Sequence, residues 1–470
     1  MQIEQLDGGK VALTDTALRE LRTTFRGKLI APEDDEFDAA RRVWNGMIDR
    51  RPALIAQCSG AADVLAAVNF ARANGLLVAV RGGGHSFAGH SVCDDGVVID
   101  LSRMRSVRVD LSTKTVRAEG GSVWGDVDHE SQVFGLATPG GVVSSTGIGG
   151  LTLGGGNQTW LSRKYGGTAD NLVSADVVTA DGSLLHASET ENADLFWAIR
   201  GGGGNFGIVT SFEFRAHAVG PIVLAGPALF AWERAKEITN FYLDYVRTAP
   251  DELTTALNYW TAPPAPFLPA SIHGRRIVII ATCYAGPADD GERVVAPVRA
   301  LQPAVDLIGQ IPYLRLQTTF DLLLAKGTYS YSKSDYFDTI MPAMVDEMIA
   351  WAARKPAPLC MARLNHYGGA IGRVASDATP FPHRDATFTC SQDAFWHSPE
   401  GTAANVTWAK EFWQAMRAYS PRGAYVNFLS DDGEERVRES YGANYDRLVR
   451  IKQKYDPHNL FRLNQNIKPG

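Results

Sequence analysis

The stretch Val78–His90 constrains this chain more than any other: an apolar run ends in Arg81, Gly82, Gly83 and Gly84 follow, and then come His85 and Ser86. Three successive residues without a Cβ let the backbone turn tightly and approach a ligand closely. Consecutive N–H groups in such a turn form a nest suited to a pyrophosphate, and Arg81 could add charge-assisted hydrogen bonds to the same oxygens. His85, with His90 just beyond, then lies beside whatever carries the phosphates. The pattern predicts a cofactor loop with a reactive imidazole at its lip; the plain alternative is a glycine-rich surface turn.

A second glycine-dense stretch runs from Thr138 to Gly156 and contains Val143, Ser144, Ser145, Thr146, Gly147, Gly149, Gly150 and Gly154. Two such loops in one region point to a large ligand held from both sides by main chain. A third run, Gly202–Gly207, matches GxGxxG, but a helical segment precedes it and a strand follows. A dinucleotide-binding turn needs the reverse order, so this one reads as a tight turn for chain packing. No phosphate loop of the GxxxxGK[ST] kind occurs, and His129-Glu130 lacks the second histidine of a zinc helix, Val133 standing there. No metal site is expected.

At 470 residues the chain is long enough for two or more domains. A net charge of −6 and the lack of any Lys/Arg run argue against nucleic acid or an anionic membrane as a partner. No apolar run is long enough to span a bilayer, and the N-terminus lacks the basic-then-apolar pattern of a secretory signal. Five cysteines form no CxxC pair, so each reads as a small buried hydrophobe in a reducing setting. A cytoplasmic protein acting on a small molecule, as a monomer or homodimer, is the expectation.

The periodicities predict an α+β chain. Residues 14–26 read as a helix, and strands at 51–58 and 76–80 flank a helix that Gly75 stops, a β-α-β unit. Further strands follow at 96–101 and at 107–116, the latter folded on the turn 110–114. Residues 124–134 are helical. Asp181-Gly182 joins strands 171–179 and 183–187 as a hairpin; 194–200 is a helix and 207–215 a strand. Past residue 216 the texture changes, with prolines at 263, 264, 266 and 269. Strands at 276–284, 328–333, 359–366, 386–390 and 424–429 and helices at 290–301, 342–353 and 402–419 predict an antiparallel sheet with helices on one side, leaving the other face for a ligand. Residues 434–455 read as one charged helix.

Taken together, Arg81-Gly-Gly-Gly-His85-Ser, the Gly140–Gly156 loop, Tyr165-Gly-Gly-Thr-Ala-Asp170-Asn171, the segment 194–207 and the ending 455–467 resemble the FAD-linked oxidases of the vanillyl-alcohol oxidase superfamily, with their PCMH-type FAD-binding domain. Within it the chain is most similar to the berberine-bridge-enzyme-like group and its bacterial members of the 6-hydroxynicotine oxidase kind. The resemblance implies a two-part FAD domain, residues 40–215 completed by 421–470, with a substrate domain at 216–420. It implies FAD bonded through the imidazole of His85 to the flavin 8α-methyl group. The cradle would be Arg81, Gly82–Gly84, Ser86, His90, the 143–154 loop and Asn464. Doubly linked relatives carry a cysteine where Val143 stands, so a single bond is expected. Relatives often have valine at the position of Thr146, which gates oxygen; the similar shape of Thr favours O2 use. The Asn157-Gln158-Thr159 sequence after Gly156 departs from the family pattern.

Hydride abstraction from an alcohol needs a group to take the hydroxyl proton. Relatives use a tyrosine in a Tyr-x-Asn-Tyr strand, but this chain reads Tyr425-Val426-Asn427-Phe428. Either another side chain is the base or the substrate is an amine. Alternation places Tyr329, Tyr331 and Lys333 on one strand face, so Tyr331 and Lys333 are candidate catalytic residues, against a reading as core aromatics and a solvated lysine. His366, beside Asn365 and Tyr367, and Asn427 are the other candidates. The expected activity is hydride transfer from an amine or an aromatic or polyketide alcohol to FAD, with reoxidation by O2 to H2O2. An oligosaccharide or alcohol dehydrogenase, or a catalytically silent flavin-binding protein, are the alternatives.

Overall fold

The computed structural model describes residues 2–266, 268–419, 421–430 and 432–470. Near the N-terminus, Lys28–Ile30, Leu54–Gln57, Val97–Asp100 and Val78–Arg81 form a sheet in that order, the last three strands parallel. The first and last of these parallel strands flank the helix Ala61–Ala73 as expected, but Val97–Asp100 lies between them. The strands are apolar on both faces because both are covered. Val78–Arg81 delivers the triple glycine at its C-terminal end.

A five-stranded antiparallel sheet follows, in the order Leu184–Ser188, Leu172–Val178, Ile208–Arg215, Thr115–Glu119 and Val107–Asp110. Both expected hairpins are present. Its core, with Phe196, Phe206 and Phe212, also takes in Val437, Leu448 and Ile451 from the end of the chain. That end is not one helix: Gly442, at φ +47°, separates Gly433–Tyr441 from Tyr445–Tyr455. Positive φ costs a glycine little and breaks the helical path.

The third sheet has eight strands, all paired antiparallel, and forms the expected platform. Helices Ala235–Tyr245, Pro342–Ala353 and Thr402–Arg417 bury one face around Tyr242, Met348 and Phe412. Besides the short pieces Val305–Asp306 and Gly309–Pro312, two long strands were not anticipated. One, Leu253–Thr261, is bracketed by turn signals at Pro250-Asp251 and Pro263-Pro264. The other, Ile222–Ala231, contains Pro227, which usually argues against an interior strand. Here Gly226 and Pro227 fall between two short partners: residues 222–225 pair with Gly309–Pro312 and residues 228–229 with Val305–Asp306. No ladder bond from the missing N–H is needed. Conversely, Ala424–Leu429 is not a strand; it holds a single 3₁₀ turn, Val426–Phe428. The strand expected at 386–390 runs on, as Phe388–Trp396.

All five cysteines are buried and unpaired. Among the described residues no helix is long and apolar enough to cross a membrane.

The helix Trp124–Gln132 is tied to Tyr313–Gln317 through a buried carboxyl group. Gln317 Nε2 donates to Asp128 Oδ2 at 2.9 Å and to the Gly141 carbonyl at 3.1 Å, while Asp128 Oδ1 and Gln317 Oε1 have no partner. Burial pushes the Asp128 carboxyl up to about 7, with the Gln317 hydrogen bond opposing. The folded state therefore holds this proton more tightly than the unfolded chain. The associated stability is fully present below about pH 4 and is lost as pH rises through about 7. Asp128→Asn should be more stable than the native chain above pH 7, by on the order of a few kcal/mol. That advantage should vanish near pH 4, read as the difference between two urea-melt series.

Candidate active site

The glycine loops meet main chain to main chain. A Cβ on Gly83 would lie 2.3 Å from the Gly147 nitrogen, and one on Gly147 would lie 2.3 Å from the Gly83 nitrogen. Only glycine at both positions allows this approach. Beside the junction lies a cavity of ≈ 390 Å³. Gly82–Gly84, Gly147, Gly149 and Gly150 line one side, and strands of the large sheet another. Gly150 has nothing within 4 Å of where a Cβ would stand, so its missing side chain leaves room open. Gly203, Gly204 and Gly207 also line the cavity, so the GxGxxG turn serves the site as well as packing. Gly202 alone is purely steric, since a Cβ there would press on the Ala198 carbonyl.

His85 is held from two directions. Trp44 stacks on its ring, centroids 5.0 Å apart and planes at 19°, and Ser145 Oγ lies 2.9 Å from Nε2. Burial, helped by the Lys326 ammonium, pulls its imidazole down to about 4, against a hydrogen bond to the Ser145 main chain. The ring is neutral at physiological pH and so has a lone pair on one nitrogen. His90 also lines the cavity; its Nε2 is buried without a partner and its backbone N–H donates to Ser86 Oγ. Val143, Thr146 and Asn464 line the cavity, Asn464 with Oδ1 unpartnered. Ser144 turns away, its N–H and hydroxyl both donating to Asp321. Gly154 makes room for Asn427, whose amide oxygen a Cβ would meet at 2.0 Å.

Arg81 departs from expectation. Its guanidinium donates to both oxygens of Asp100 and to the Ala40 carbonyl, locking two parallel strands together. It therefore serves the sheet and is not a phosphate ligand.

On the large sheet the alternation along Tyr329–Phe337 is as expected but the face is the other one. Tyr331 packs in the helix-covered core, and Lys333 lies over the rings of Tyr331 and Trp413 and pairs with Asp432. Neither Tyr331 nor Lys333 reaches the cavity. The opposite face carries Ser330, whose backbone N–H donates to Asn45 Oδ1, and Ser332, whose hydroxyl donates to Asp393. Helix Thr402–Arg417 claims the aromatic face because burying Tyr331 there removes more apolar surface from water.

His366 does line the cavity. Arg163 Nη1 stands 3.3 Å from its Nε2, and burial together with that guanidinium drives the imidazole down to about 3. Asn427 also lines it, donating to the Tyr425 hydroxyl at 2.9 Å. Burial pushes Tyr425 up to about 12, the Asn427 hydrogen bond opposing.

Two charged residues of the cavity were missed. Asp393 is the only carboxylate among the described residues that line the cavity. It accepts from Ser332 Oγ at 2.6 Å and Ser391 Oγ at 2.9 Å, and pairs with Arg363 Nη2 at 3.0 Å. The Arg363 guanidinium in turn lies 5.7 Å from the centre of the Phe428 ring. Alternation from Asn365 was enough to find Arg363. Asp393 escaped because the expected strand stopped at residue 390.

An FAD fits this donor set. The backbone cradle suits a diphosphate, unpartnered polar atoms of His90 and Asn464 face a need for ligand or solvent, and a neutral imidazole stands at the margin.

Comparison with known proteins points the same way. An FAD-binding-domain model matches residues 52–188, and a berberine and berberine-like model matches residues 424–468. An FAD-linked oxidoreductase of Dictyostelium discoideum is 33% identical over 91% of this chain and 91% of its own length. The (R)-6-hydroxynicotine oxidase of Paenarthrobacter nicotinovorans is 31% identical, over 95% of this chain and 97% of its own. The crystal structure of 6-hydroxy-D-nicotine oxidase from Arthrobacter nicotinovorans superposes with a TM-score of 0.86 at 28% identity, covering 95% of this chain and 98% of that one. With the glycine cradle, the match at residues 424–468 and these relatives in agreement, the chain belongs to the berberine-bridge-enzyme-like family of FAD-linked oxidoreductases.

Proposed function

We propose that this enzyme is an oxidase that carries FAD on one covalent bond through His85, takes hydride from a small amine or an aromatic or polyketide alcohol, and passes the electrons to O2 to give H2O2. Residues 40–215 with 421–470 hold the cofactor, and 216–420 contribute the substrate side. The observation that carries the reading is that a single cavity is bordered by the glycine cradle, His85 and the Arg363–Asp393 pair. When bound, FAD supplies a two-electron acceptor.

The chain's own residues do the rest. Main-chain amides of the two loops would hold the diphosphate. The neutral imidazole of His85 would be the residue that holds the flavin ring covalently. Val143 has no thiol to make a second link. Asp393 takes the proton that a substrate hydroxyl or amine gives up as hydride departs, filling the role that Phe428 lacks the oxygen for. Arg363 orients that carboxylate through the 3.0 Å ion pair and rests against Phe428. Asn427 and Tyr425 supply a fixed amide–phenol pair on the same wall. His366, held by Arg163, is too weak a base to compete and acts as a neutral wall of the cavity. Phe320, Leu324, Met361 and Phe395 supply the apolar contact that an aromatic substrate needs.

Wild-type protein precipitated in acid should keep its yellow colour in the pellet, whereas His85→Ala should release all of it; a coloured mutant pellet places the link elsewhere. Asp393→Asn should slow flavin reduction by a substrate found in an amine and alcohol panel by ~100-fold or more, the usual weight of a general base. Anaerobic stopped-flow absorbance reads this, and reoxidation by O2 should be unchanged in the same variant. Photoreduced wild-type enzyme mixed with air should regain its oxidised spectrum within seconds; slow recovery leaves a dehydrogenase.

A further inference from the structure

We infer that the segment 318–328, which leads into the large sheet, licenses covalent attachment at His85, and that Ser145 selects the imidazole nitrogen that reacts. The inference rests on the reading of His85 as the linking residue.

A neutral imidazole has one N–H and one lone pair, and only the lone pair can form a bond to carbon. Nε2 lies 2.9 Å from Ser145 Oγ. With Nε2–H donating to that hydroxyl, the lone pair sits on Nδ1. Bond formation from Nδ1 to the 8α carbon then replaces a C–H bond. The methyl proton leaves, the two electrons of the C–H bond pass into the flavin ring system, and O2 accepts them. The alkylated ring sheds its Nε2 proton, so the two protons released complete H2O2. A hydroxyl suits this sequence because it accepts from Nε2–H beforehand and donates to Nε2 afterwards.

Neither support of the His85 ring stands by itself. Trp44 takes two of its three polar bonds from the segment 318–328: its indole N–H donates to the Leu324 carbonyl at 2.8 Å and its carbonyl accepts from Gly327 N–H at 2.9 Å, while its backbone N–H donates to the Gly84 carbonyl. The Ser145 loop is latched through its neighbour, since Asp321 accepts from both the backbone N–H and the hydroxyl of Ser144. Lys326, on the same segment, disfavours a protonated imidazole. Residues 177 positions apart in the chain thus build one nucleophile. Attachment would then follow docking of the large-sheet region on the glycine loops, so that a chain lacking its substrate side leaves the cofactor free to dissociate. Ser145 and Asp321 are positioning residues here.

Full-length chains expressed with limiting riboflavin and then given FAD supply the test, with acid-stable flavin followed over time. Ser145→Ala should attach FAD about tenfold more slowly, the weight of one well-placed hydrogen bond. Ser145→Thr should restore the rate. Asp321→Ala should also be slow, and quenching of protein fluorescence on adding FAD separates slow attachment from failed binding in each variant. Native rates in Ser145→Ala overturn the role of Ser145, and native rates in Asp321→Ala overturn that of the segment. Should a variant fail to bind FAD, the remaining one and the threonine rescue decide. A wild type that never acquires acid-stable flavin overturns the His85 reading itself, a result distinct from the others.

Discussion

The structure depends on two backbones touching where Gly83 meets Gly147. This contact brings the loop after a parallel strand onto the loop that opens helix Ile148–Leu153, and it places Ser145 against His85. A side chain at either position must push the loops apart, because what it meets is main chain and cannot swing away. Around this point the second loop is braced by Trp124 N–H donating to the Thr146 carbonyl and by Ile148 N–H donating to the Ser122 carbonyl. The cavity is the space that these constraints leave.

The large sheet contributes by being two-faced. One face is sealed by helices around Tyr242 and Phe412, and the opposite face turns Asn258, Arg363 and Asp393 toward the glycine loops. Since side chains alternate along a strand, neighbouring residues have unrelated roles: Asp393 borders the cavity while Ala394 is packed under helices. The same rule exchanged the parts of Tyr331 and Ser332. Chemistry and stability are written on alternate letters of one strand.

Much of this was legible beforehand because it is local. The triple glycine, the Asp181-Gly182 hairpin and the helix stop at Gly75 state their conformations within a few residues. The displacement of a tyrosine by Phe428 was equally plain. Arg81 shows the limit. Its position beside the glycines suggested a phosphate ligand, yet Asp100 on the neighbouring strand lies directly opposite it in register and takes the guanidinium. A charge can be read from sequence; its partner across a sheet cannot.

By itself, then, the sequence determined the α+β class, the paired glycine loops, the imidazole at position 85 and the valine at position 143. Tertiary structure decided which face of each strand looks inward, and so dismissed Tyr331 and Lys333 and brought forward Arg363 and Asp393. It also decided that Trp44 and the Ser144–Ser145 turn are held by residues from a distant segment. The physical reason is the same in each case. Turn geometry is settled by the few atoms within a turn, whereas the inward face of a strand is settled by which side buries more apolar surface, and that depends on everything packed against it.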